Sequence, residues 1–212
     1  MNVYFGDISY KKYEQHVMMI FLIFLFIGLS IGYYMPHSIS VPVVKSVVTD
    51  SASAKLMDVA DDNGPLKVVL FFVNNITVAI LLMILPMIYS SCILMITGEK
   101  KNGNFRIEPI WISRFAIIMQ ALPIGIVIGY GTGIINNNLI VITSLLPHGI
   151  IEVCALLIAA TLGLWFAMEQ SVKDVLGYRG IGMIFIKIVV PAIFVAAIIE
   201  TYVTPYLVTL VS

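Results

Sequence analysis

Five long apolar stretches leave this chain few ways to fold. Each is long enough to cross about 30 Å of hydrocarbon at about 1.5 Å per residue. They run from about 17 to 34, within 66–97, from 110 to 130, within 139–168 and from 181 to 211. Hydrocarbon offers no water to an open peptide group, so such stretches must close their own hydrogen bonds as helices. The expected fold class is all-α: a polytopic membrane helical bundle, one membrane domain over 1–212, with 37–66 as its largest outer loop. That loop carries Asp50, Asp58, Asp61 and Asp62 and could form a short amphipathic helix on the outer surface. The first stretch exceeds the usual h-region of about 7–15 residues, and no small-x-small site follows closely, so it reads as a retained anchor and not a cleaved signal.

Composition agrees. Residues of the AVILMFWYC set make up 60% of the chain and charged residues only 11%, too few to give a soluble domain its polar surface. The 12 basic and 12 acidic residues cancel, which leaves no electrostatic footprint for a nucleic-acid partner. The expected surroundings are a lipid bilayer, with a second copy or other membrane proteins as candidate partners. Cys92 and Cys154 lie inside apolar runs and read as free, buried thiols.

Basic residues set the expected orientation. With the N-terminus cytoplasmic, Lys11, Lys12, Lys100, Lys101, Arg106, Arg114, Lys173, Arg179 and Lys187 fall inside, against Lys45, Lys55 and Lys67 outside. This follows the positive-inside rule and puts the C-terminus outside, in a multi-pass protein of the cell membrane. Trp111 and Trp165 then land at the inner interface, where an indole belt is expected.

An ionisable side chain inside a span costs about 2.5–3.5 kcal/mol on insertion scales, so each one needs a reason. His148 and Glu152 in the fourth span and Glu200 in the fifth stand out, joined by Asn74 and Asn75 in the second. The alternating directions of the spans put all five in one layer, within about 10–18 Å of the outer surface. His148 and Glu152 are four apart and share a helix face, which continues as Ala155, Ala159 and Gly163. Ala192, Ala196, Glu200 and Thr204 form a similar stripe on the fifth span. Small residues let membrane helices approach closely, and pairing these antiparallel seams would bring Glu152 beside Glu200. Plainer readings stand beside this one. Asn75 could cap the second helix, and Pro147 could open the fourth with Ser144 as its cap, leaving His148 partly wet.

The string Leu146-Pro147-His148-Gly149-Ile150-Ile151-Glu152 resembles the LPHGxxE signature of the stage II sporulation protein M family. Phe72-Val73-Asn74-Asn75 resembles that family's FxxN-type segment, and the tail from Ala196 through Glu200 to Thr204-Pro205 is similar to its closing glutamate and Thr-Pro. The resemblance implies a multi-pass membrane protein. The named member acts in engulfment in endospore formers, with partners that remodel peptidoglycan, apparently as a membrane scaffold. Relatives occur in organisms that never sporulate, so that role does not transfer with the resemblance.

Two functional classes fit these residues. The first is a membrane scaffold or transport-related protein whose polar cluster fixes helix packing or binds a small ligand or ion; two close carboxylates could share a proton, as in a relay or a pH-sensitive switch. The plain version is a satisfied hydrogen-bond cluster that locks the fold. The second is an intramembrane metal site, in which His148, Glu152 and Glu200 supply three ligands to zinc or another divalent metal and leave one position for a hydrolytic water. No HExxH pair accompanies it.

An offset of 73 residues aligns Asn75 with His148, Lys100 with Lys173 and Arg106 with Arg179, as a parallel repeat of two hairpins would. Gly131-Thr132-Gly133 reads as a turn in a short outer loop, and Arg114 and Gln120 as residues that snorkel or pair across helices.

Overall fold

The computed structural model describes residues 8–34, 63–97, 108–134, 138–168 and 175–211. All but Asn63 of these are helical. They form α1 (Ile8–Tyr34), α2 (Gly64–Thr97), α3 (Glu108–Ile134), α4 (Asn138–Met168) and α5 (175–211). Each contains a segment long and apolar enough to cross a membrane. The proposed surface helix in the outer loop falls on residues up to 62, outside the described residues, and positions 64–66 already belong to α2.

The helices run past their apolar stretches. α1 begins at Ile8, so the polar stretch around Lys11, Lys12 and Glu14 is already helical. Asn63 caps α2: its Oδ1 accepts a 3.1 Å hydrogen bond from the Leu66 N–H. This cap lies three turns before Asn75, which is therefore an interior residue and not a cap. In the same way α4 begins at Asn138, which places Ser144 and Pro147 inside the helix. Gly131-Thr132-Gly133 is not a turn but the last part of α3. The Thr132 hydroxyl bonds back to the carbonyls of Ile128 and Gly129, both at 3.0 Å, which helps hold the last turn closed.

α4 is the central helix and touches each of the other four. Its last turns, from Ala159 to Met168, are buried on every side. Large apolar side chains elsewhere, such as Phe26, Phe115 and Tyr206, face outward, as hydrocarbon surroundings require. Cys92 and Cys154 are free thiols, but both are exposed on outward faces and are not buried in the core. An apolar neighbourhood in sequence does not tell core from lipid.

Two pairs of parallel helices build the bundle. α1 and α3 meet through Gly28 and Gly32 on one helix and Gly125 and Gly129 on the other. A methyl group on Gly28 would strike the Leu122 carbonyl, and one on Gly129 the Leu29 carbonyl. These are two GxxxG faces in direct backbone contact. α2 and α4 also run parallel: Gly163 packs on the backbone of Met83, and the Ser90 hydroxyl donates to the Ala167 carbonyl at 3.1 Å. Gly163 therefore faces α2, although it continues the seam of Ala155 and Ala159. Losing the buried Ser90 bond in Ser90→Ala is expected to cost about 1 kcal/mol. Thermal unfolding of the purified protein measures this; an unchanged transition would remove the contact from the account.

Trp165 is fully buried, with its ring set edge-on to Tyr10 at 5.7 Å. It is a core residue at the end of the bundle where α1 begins, not part of an interfacial belt. Trp111, by contrast, is 60% exposed.

α5 is one rod with two π turns, Phe185–Val189 and Ile199–Val203. In each, a backbone N–H reaches five residues back, from Val190 to Phe185 and from Thr204 to Ile199. Pro191 and Pro205 each stand two residues beyond a π turn. Proline has no N–H to give the carbonyl four residues back, which frees the preceding turn to widen. α3, in contrast, stays α-helical through Pro123. The two halves of the suggested hairpin repeat thus differ in their second helix.

Candidate functional site

α4 and α5 run antiparallel, and the contact that fixes their register is polar. Nδ1 of His148 lies 3.1 Å from Oγ1 of Thr204, with both side chains buried. On its other edge, Nε2 lies 3.9 Å from Oε1 of Glu200. The imidazole thus stands between two α5 residues one turn apart. Glu152, one turn along α4 from His148, is half-buried, and its carboxylate is close enough to Glu200 for the two charges to interact. Glu200 sits inside the second π turn, a distortion frequent at functional sites.

Depth is the second property. Counted from the nearer ends of their spans, His148, Glu152 and Glu200 lie about 9–16 Å along the helix axes at 1.5 Å per residue, approaching the middle of a 30 Å hydrocarbon layer.

His148, Glu152, Glu200 and Thr204 are brought together; the asparagines are placed differently. Asn75 is buried on α2 and accepts a 3.0 Å hydrogen bond at Oδ1 from Nδ2 of Asn74, whose side chain is exposed. The Met83–Gly163 and Ser90–Ala167 contacts set a register that puts Asn75 level with the stretch from Glu152 to Ala155. It stands on a neighbouring wall and does not join the histidine cluster by a hydrogen bond. Phe72, one turn earlier, packs edge-on to Phe194 of α5 at 5.6 Å and closes α2 against α5. Among the described residues, no three His, Cys, Asp or Glu side chains gather closely enough to hold a metal ion.

A second polar group joins Arg114, expected to snorkel or pair across helices, to a partner that sequence reasoning missed, His16. Nε of Arg114 donates to Nε2 of His16 at 3.2 Å, and the guanidinium lies 5.1 Å over the Trp111 ring. The signal was available: both residues fall at one depth at the opposite end of the bundle, by the same argument that grouped His148 with the glutamates.

Five helices, each with a segment long and apolar enough to cross a membrane, define a polytopic helical membrane protein. The chain matches the family described as SpoIIM, stage II sporulation protein M, over residues 18–205, and it belongs to that family. No curated protein and no solved structure matches it.

Proposed function

We propose that this protein is a membrane scaffold or transport-related protein whose working centre is the α4–α5 cluster, which takes up a proton or a small cation between Glu152 and Glu200. The observation that carries the reading is the buried His148 held between Thr204 and Glu200, with Glu152 one helical turn along α4 from the histidine. Two carboxylates in a medium of low dielectric do not both keep their charge cheaply, so a proton or cation shared between them relieves the repulsion. His148 orients Glu200 and offers a second protonatable group. The distribution of Lys and Arg supports a cytoplasmic N-terminus, which would place this centre in the outer half of the membrane.

A hydrophobic carbodiimide tests the centre, since it enters the bilayer and reacts with protonated carboxyl groups. Peptide mapping is expected to find the adduct on Glu152 or Glu200, in a yield that falls as the pH is raised. The Glu152→Gln/Glu200→Gln double variant is expected to lose it. Absence of the adduct from both positions, or a yield indifferent to pH, overturns the reading and leaves a hydrogen-bond cluster that only locks the fold. Stoichiometric metal in the purified protein, lost in His148→Ala, would overturn it in favour of a metal centre.

A further inference from the structure

At the end of the bundle where α1 begins, α1 and α3 line a groove of about 410 Å³. The same two helices touch backbone to backbone at their glycines. Toward this end the positions that follow the glycine contacts carry bulkier residues, including Phe24 and Ile118. His16, Arg114 and Trp111 stand at the mouth, and Ile20, Phe24 and Ile118 line the interior. From His16 to Phe24 the groove follows α1 for about 12 Å at 1.5 Å per residue. The mouth lies near the start of the apolar stretch of α3, which begins at about 110, the level where an indole belt is expected.

The cation at the mouth is pinned. Its Nε–H is committed to His16, and its plane lies over Trp111, so the guanidinium fork holds one direction. Among the described residues, no carboxylate pairs with Arg114. A guanidinium fixed at Nε, with no carboxylate on its terminal N–H groups among the described side chains, is suited to bidentate contact with a phosphate. An apolar channel running from that point into the hydrocarbon is suited to an acyl chain.

We propose that this groove binds one anionic phospholipid, its phosphate held by Arg114 and one acyl chain lying along Ile20, Phe24 and Ile118. Charge complementarity and depth select this occupant over a helix from a second copy.

Native mass spectrometry of the delipidated full chain tests it, with phosphatidylglycerol, phosphatidylcholine of the same chains, or inorganic phosphate added. One phosphatidylglycerol is expected to be retained in preference to phosphatidylcholine by about tenfold, the worth of one charge-assisted contact, and Arg114→Gln should abolish that preference. Ile118→Trp, which fills the groove and leaves the guanidinium in place, should lose phosphatidylglycerol itself, and it decides the matter if Arg114→Gln does not fold. Equal retention of the two lipids by the natural chain overturns the proposal. So does unchanged retention in Ile118→Trp, displacement of the lipid by inorganic phosphate, or a dimer that excludes lipid.

Discussion

Alanine at Gly129 is expected to destabilise the protein by about 2–3 kcal/mol, the cost of forcing extra volume into a closed contact. The added methyl meets the backbone of Leu29, carbonyl oxygen included, and a backbone cannot move aside as the tip of a flexible side chain can. Gly125 meets the Leu25 backbone in the same way, one turn earlier. The double variant Gly125→Ala/Gly129→Ala should therefore prise α1 from α3 and leave little folded protein. Gly182 supplies the control, because nothing lies within 4 Å of a methyl placed there. Alanine at Gly182 should be neutral or slightly stabilising, since glycine is the poorer helix former by about 1 kcal/mol. Thermal unfolding in detergent reads both. Equal effects at the two glycines would refute the close approach of α1 and α3.

The second large effect lies in the cluster. His148→Ala removes the partner of Thr204 and the neighbour of Glu200 at once, and stranding buried polar groups should cost about 2–3 kcal/mol. Thr204→Val alone should cost about 1 kcal/mol, because it leaves only the imidazole unsatisfied. Combined, the two changes should cost less than their sum, since the second removes a group that the first has already orphaned. Strict additivity in this cycle would show that the 3.1 Å contact contributes nothing to the register of α4 and α5.

The starts of α1 and α5 and the end of α3 reach beyond the stretches read from sequence, because hydropathy marks where apolar residues stop, not where hydrogen bonding stops. The polar turn around Lys11 and Lys12 stays helical in α1, and Thr132 and Gly133 prolong α3 where a turn was expected. The cap at Asn63 was overlooked for the same reason, with Asn75 weighed as one candidate for that role. The π turns of α5 left a trace in Pro191 and Pro205, two prolines fourteen residues apart in one span, each with a widened turn behind it.

Depth could be read from sequence because a spanning helix converts residue number into distance. His148, Glu152 and Glu200 were therefore grouped before any contact was known, as were the number of spans and their alternating directions. Which face meets which neighbour was decided only by the tertiary structure. Trp165 went inward to Tyr10, Cys92 and Cys154 outward, Gly163 to α2, and Arg114 to His16 across a groove. Lipid tails and a protein core are equally apolar, so an apolar residue in a span does not record which of them it touches. Packing against the other four helices supplies that choice.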